Sequence, residues 1–421
     1  MDAAGIIGQL AARAGRENPY PLYAAAHGLG PVAAVSPSML MVSGYAEVNR
    51  VLRDPAFGVV DDAVRGVWWD LLRPPESVRL LGRSILQSNA PDHTRMRAPI
   101  ASVFTPRRVA ALEPAVSRAV EALLDELASL GADGAPVDFM EQFAFRLPVG
   151  VICELLGVPE ADRHRFRRLG HDLTLALEFA SGEGDLADAD AAAVELADYF
   201  GRLAAERRED PRDDLVSALV RLTAAEDGRL ADAELVANLV LLLIAGFETT
   251  TNLLGNGLAL VLAHPRVRAA LAAGALPVAD LVEEVLRHDS PVQMTSRIAL
   301  REGLRIGGMP LPPHGEVMLL IGAANRDPAR FPEPDRFDPW RADIQPLSFG
   351  AGAHFCLGAM LARLEARVAF AALLARFPDL AAAADRKPLR NDRMLFRGYA
   401  SLPIVLGDPG VPSCPGGDQS V

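Results

Sequence analysis

The residues with the most chemical promise stand together in Phe349-Gly350-Ala351-Gly352-Ala353-His354-Phe355-Cys356-Leu357-Gly358. An isolated cysteine is ordinarily a small buried hydrophobe. Cys356 has different company. Glycines at 350, 352 and 358 permit positive φ and let the backbone approach a flat ligand. Turned N–H groups in such a loop can donate to the sulfur and moderate its charge. The sequence from Leu357 to Leu374 reads as a helix, which places Cys356 at a helix N-terminus, where the dipole favours a thiolate. Zinc held by His354 and Cys356 fails for lack of further ligands at usable spacing. A single thiolate beside glycines suits the axial ligand of haem iron, where thiolate donation promotes O–O cleavage.

A second constellation is Ala245-Gly246-Phe247-Glu248-Thr249-Thr250, followed by Thr251. The ordinary reading is a core helix with a polar stripe. An acid followed by three threonines is unusual there, since glutamate is rarely buried unpaired. Gly246 weakens a helix by about 1 kcal/mol against alanine. Together they predict a locally opened helix facing a cavity. His93 and Arg97 are four apart and share a helix face. Glu284 and Arg287 are three apart, a spacing most often found in surface ion pairs worth under about 1 kcal/mol.

The elements that must position these groups are mostly helical. A strand pair is expected around Val32 to Val42, with Gly44 and Tyr45 as a turn before a helix. Residues 57–90 read as irregular and hold Trp68, Trp69, Pro74 and Pro75. Pro91 and Asp92 suit a first helical turn, and Pro99, lacking an N–H, should kink or end that helix. Pro106 to about Ala225 reads as helical, with breaks near 131–136, 158–159 and 182–184. A long helix follows, capped by Asp232 and stopping before Pro265; at 1.5 Å per residue it spans roughly 45–50 Å. Residues 278–288 form another helix, ended by Pro291. Residues 295–322 read as small β-hairpins broken by Gly307, Gly308, Pro310, Pro312 and Pro313. A Pro- and Gly-rich stretch covers 327–352, and a last helix runs from about Leu357 to Phe377. The Gly-, Pro- and Ser-rich tail at 407–421 is expected to be disordered. The fold class is therefore mainly α with a smaller β-rich region (α+β).

Composition supports this. Half of the 421 residues are hydrophobic and only 6% aromatic, and the Ala and Leu content favours helix. Length alone suggests two or three domains, but no linker divides the chain, and one domain over 1–406 is expected. The net charge of −12, without a Lys/Arg block, argues against nucleic-acid binding. Three widely spaced cysteines (Cys153, Cys356, Cys414) argue against a disulfide framework and fit a reducing compartment. The apolar stretch from Leu235 to Ala245 falls short of the roughly 20 residues of a membrane span, and no signal peptide is visible. A cytoplasmic protein is expected.

The cysteine loop resembles that of the cytochrome P450 family in its soluble bacterial form. Phe-Gly-x-Gly-x-His-x-Cys-x-Gly is matched without departure, and Ala362, Arg363 and Glu365 continue it in the family's manner. The other motifs occur in the family's order, so the resemblance covers nearly the whole chain. It implies the triangular P450 fold, with haem b between the long central helix and the helix after the cysteine loop. Cys356 would ligate the iron, with Phe349, Gly350, His354 and Gly358 around it. Ala245 and Gly246 would make room for dioxygen, Thr249 would hydrogen-bond the reacting oxygen, and Glu248 would relay protons. His93, Arg97, Arg297 and His354 would hold the propionates. Glu284 and Arg287, joined by Arg336 from Pro334-Asp335-Arg336-Phe337, would lock the segment that carries the cysteine loop.

The family's substrate-facing segments map onto Leu242, Ala245, Val292, Met294, Met394 and Leu395, among others. Their apolar character implies a mainly hydrophobic substrate such as a polyketide, terpenoid or peptide-derived natural product. Electrons would come from NAD(P)H through a ferredoxin reductase and a ferredoxin, docked near a basic patch of Arg95, Arg107, Arg108 and Arg363. A monomer is the family's usual state. Two alternatives stay open: the same haem centre used for oxidative coupling, cyclisation or peroxide-driven oxidation, and a non-catalytic haem sensor, for which Glu248 and Thr249 would be superfluous.

Overall fold

The computed structural model describes residues 1–61, 64, 66, 74–178, 186–223 and 230–407. Trp68, Trp69, the expected break at 182–184 and the tail after Gly407 lie outside these residues. Among the helices, those that bear on the site are α1 (Asp92–Ala101), α2 (Arg146–Leu156), α3 (Arg163–Leu173), α4 (Asp232–Ala263), α5 (Val278–His288) and α6 (Ala359–Arg376).

The central helix α4 runs 32 residues. Asp232 is its first helical residue rather than its cap. Glu234 reaches back to accept the Ala231 N–H at 2.8 Å, which satisfies a donor the helix end leaves free. The expected opening near Gly246 is absent, and the helix is continuous from Asp232 to Ala263. A Cβ on Gly246 would lie 3.0 Å from Ile152 Cγ1, so the glycine lets α2 approach closely. Thr249 Oγ1 folds back to donate to the Ala245 carbonyl at 2.9 Å, a bond the helix accommodates.

Although α4 is long and apolar enough to cross a membrane, 67% of its most apolar window is buried within the protein. Its buried amides tie other segments to it. Asn238 Oδ1 accepts the Ile85 N–H at 3.0 Å, and Asn256 Nδ2 donates to the carbonyls of Asp289 and Arg397 at 3.0 and 2.9 Å. Both helix ends near the site have simple causes. The sharp stop of α2 follows from Gly157 at φ 74°, with the Val158 N–H returning to Cys153 O at 2.8 Å. Pro99 lies inside α1 without ending it; the helix continues to Ala101, so His93 and Arg97 keep their shared register.

The β-rich region differs from separate small hairpins. Strands β1 (Val32–Ser36), β2 (Met39–Val42), β3 (Phe57–Gly58), β4 (Thr295–Ala299) and β5 (Glu316–Leu319) form one sheet in the order β1-β2-β5-β4-β3. It is antiparallel except where β2 runs parallel to β5, pairing Met39 with Glu316 and Val42 with Leu319. Leu40, Val42, Ala299, Val317 and Leu319 share one buried cluster beneath it. A common core joins strands that are hundreds of residues apart in sequence. The expected hairpin at Arg305–Ile306 and Met309–Pro310 is present beside this sheet.

Candidate active site

The cysteine loop is built before α6 starts. That helix begins at Ala359 with Gly358 as its cap, two residues later than the sequence suggests. Gly350 and Gly352 have φ of 69° and 68°. At Gly352 a Cβ would sit 2.2 Å from the Leu52 carbonyl oxygen, so only glycine fits. The Cys356 N–H donates to Phe349 O at 2.9 Å, closing the loop. The Arg363 guanidinium lies 4.4 Å over the Phe349 ring and fixes its outer side.

Cys356 has solvent-accessible surface although it is set deep among protein atoms, as a residue lining a cleft does. Burial pushes its thiol pKa up. The N–H groups of Gly358 and Ala359 and the guanidiniums of Arg97 and Arg363 act in the other direction without prevailing. The helix terminus thus works against burial, and a bound metal cation would stabilise the thiolate.

Four basic side chains gather beside this cleft. The rings of His93 and His354 lie 4.2 Å apart. Arg97 donates to the Phe355 carbonyl. Arg297, in β4, donates only to Thr295 Oγ1 at 3.3 Å and Ser296 O at 2.7 Å. No ion pair involves any of the four among the described residues. Burial, then the neighbouring positive charges, lowers His93 to about 4 and His354 to about 3. Burial alone takes Arg297 down to about 10. His93 Nε2 is buried without a partner. A cluster of this kind lacks an anion, and two carboxylates would satisfy it. The residues therefore fit haem: a thiolate-forming cysteine, a loop only glycine can make, and an acid-free basic cluster for two propionates.

On α4, Ala245 is exposed although Ile244 beside it is buried, and Thr249, one turn on, is half-buried. These two share an open face of an otherwise buried helix. Gly246 points at α2, so the room it makes is room for a helix. Glu248 is 3% exposed and its Oε2 has no partner. Burial pushes its carboxyl pKa up, with Arg393 and Asn252 acting against that and Glu178 adding to it.

The supporting ion network differs from the family pattern in one member. Glu284 and Arg287 are fully buried and joined by two bonds of 2.7 and 2.8 Å. Arg287 also donates to the carbonyls of Asn325, Pro334 and Arg336. The Arg336 guanidinium is outside, 59% exposed, beside Glu333 and Asp338. Only its backbone carbonyl enters the network. Arg341 takes the third place, its Nε 3.5 Å from Glu284, because its side chain crosses beneath the loop to the carbonyls of Pro332 and Glu333. No periodicity marked Arg341 in the sequence.

The expected substrate residues divide. Leu242 packs with the helices. Val292, Met294, Met394 and Leu395 pack in one cluster with Ile6, Leu10 and Tyr23, so Met294, 1% exposed, serves the N-terminal helices as well. Of the expected basic patch, Arg95 is paired with Asp92 and Glu234 and Arg363 with Glu283. Arg107 and Arg108 remain exposed, with no side-chain partner among the described residues.

The family profile of cytochrome P450 matches residues 183–274 and 275–399. The chain is 40% identical to cytochrome P450 monooxygenase PikC of Streptomyces venezuelae, over 92% of this chain and 91% of that one. It is 38% identical to 6-deoxyerythronolide B hydroxylase of Saccharopolyspora erythraea, over 89% and 92%. The ligand-free crystal structure of CYP164A2 from Mycobacterium smegmatis superposes with a TM-score of 0.86 at 39% identity, covering 96% and 100%. The chain belongs to the cytochrome P450 family. It is a haem-dependent monooxygenase of the bacterial type.

Proposed function

We propose that this enzyme hydroxylates or epoxidises a mainly hydrophobic natural product, using haem b, dioxygen and electrons passed from NAD(P)H through a ferredoxin reductase and a ferredoxin in the cytoplasm. The observation that carries the haem-thiolate part is the acid-free cluster of His93, Arg97, Arg297 and His354 beside Cys356, with a buried His93 nitrogen left unpartnered. The relatives support the substrate class: three are named for hydroxylation or polyketide biosynthesis. The four basic groups would hold the propionates and Cys356 the iron. When bound, haem supplies a redox-active iron that takes electrons singly and binds dioxygen.

The chain's own residues do the rest. The N–H groups of Gly358 and Ala359 hold negative charge on Cys356 Sγ. Thr249 Oγ1, already oriented by its bond to Ala245 O, offers its lone pairs to a proton donor on the open face of α4. Glu248, buried and biased toward its protonated form, stores a proton one residue away.

The test is the absorption spectrum of reduced protein exposed to carbon monoxide. A strongly red-shifted Soret band, lost in Cys356→Ala, is expected; an unshifted band from haem-loaded protein would overturn the assignment of the ligand. Thr249→Ala should divert electrons from NAD(P)H into hydrogen peroxide. Fully coupled NAD(P)H-driven turnover in that variant would overturn the proton-relay assignment.

A further inference from the structure

Glu248 and Arg393 are oppositely charged, 3% and 8% exposed, and each keeps one buried polar atom, Oε2 and Nη1, without a partner. They face one packed region between α3, the 174–178 segment, α4 and the 391–397 segment. That segment is pinned there. The N–H groups of Met394 and Leu395 both donate to Glu178 Oε2 at 2.9 Å. Gly398 approaches Asn252 so closely that a Cβ would lie 1.8 Å from its Oδ1. The second Arg393 nitrogen, Nη2, donates to His171 O at 3.1 Å and lies against the imidazole, 3.2 and 3.4 Å from its two ring nitrogens. His171 itself is exposed on α3. From solvent inward the order is His171, Arg393, Glu248.

We infer that Arg393 is a positioning residue for Glu248. This rests on reading Glu248 as a proton donor. Two orphaned polar atoms of opposite charge in one buried region are what a bridging water satisfies. The Arg393 charge opposes the burial that would otherwise lock the Glu248 carboxyl in its neutral form. A donor must release and regain its proton in every cycle. The proton that leaves Glu248 is replaced from bulk water and not through Arg393, whose guanidinium has no lone pair to accept one, and no electron moves.

The groups that set this balance come from every wall. Arg393 and Glu178 face Glu248, with Asn252 on its own helix. Arg393, Asp172 and Arg167 face His171, and Arg16 faces Glu178.

The test is infrared difference spectroscopy of the holoenzyme, with Glu248→Gln subtracted to isolate the carboxyl C=O band, followed against pH. Arg393→Met should move the band's midpoint up by about one pH unit or more, the shift a nearby cation exerts. Arg393→Lys should recover most of that shift. Arg393→Met should also increase the solvent deuterium isotope effect on product formation. An unmoved midpoint in Arg393→Met overturns the inference. If that variant does not retain haem, Arg393→Gln keeps a hydrogen-bonding group without the charge and is read the same way. Fully coupled turnover in Glu248→Gln would instead overturn the reading of Glu248. Uncoupled turnover there with an unmoved Arg393→Met midpoint removes the role of Arg393 alone.

Discussion

Glu284→Gln tests the buried network that carries the cysteine loop. Glu284 and Arg287 are both 0% exposed, and Arg287 spends its remaining donors on three backbone carbonyls. Removing one charge of a buried pair strands the other, at about 3–5 kcal/mol. Glutamine keeps the volume and one oxygen acceptor, which still serves the Asp338 N–H now bonded at 2.7 Å. The expected loss is therefore near the lower end, about 3 kcal/mol, a large share of the ~5–15 kcal/mol that holds a folded protein together.

Urea unfolding by circular dichroism reads the loss globally, and fluorescence from Trp340, 51% exposed in the same segment, reads it locally. Two controls rank the network. Arg341→Met gives up bonds to Pro332 O and Glu333 O at 2.6 Å, at about 2 kcal/mol or more. Arg336→Met removes only exposed pairs and should cost under about 1 kcal/mol. A Glu284→Gln loss below about 1 kcal/mol, or an Arg336→Met loss equal to it, refutes the network described above.

Glu365 is 2% exposed with Oε2 unpartnered, and burial raises its pKa from 4.5 to about 8. The folded state holds a proton that the unfolded state releases, so stability falls as pH rises from 4.5 to about 8. The stability difference between Glu365→Met and the parent should grow across that window by an amount on the order of a few kcal/mol and then level off; a difference independent of pH in unfolding experiments would refute it. Gly352→Ala forces a residue into φ of 68° against the Leu52 carbonyl, at about 1–3 kcal/mol or more, and should lower the haem retained after gel filtration. Charge reversal at Arg107 and Arg108 should slow ferredoxin-supported reduction in stopped flow, the effect shrinking as salt rises.

The sequence by itself singled out the proposed iron ligand, because Cys356 with glycines at 350, 352 and 358 is a local pattern whose chemistry needs no distant residue. It determined α4, whose apolar length and terminal Pro265 leave no other choice, and α5 and α6 to within two residues, because helices are written in short-range periodicity. Tertiary structure decided whatever depends on what lies across a gap. Gly246 makes room for Ile152, which is nearly a hundred residues away. The single mixed sheet exists because β2 and β5 share a core. Arg341 replaces Arg336 through the path of a loop without periodicity, and Arg95 and Arg363 lose their free charge to acids on other elements. The orphaned atoms of Glu248 and Arg393 belong to the same class: side-chain type sets their charge, but only the packing of four separate segments puts them in one buried place.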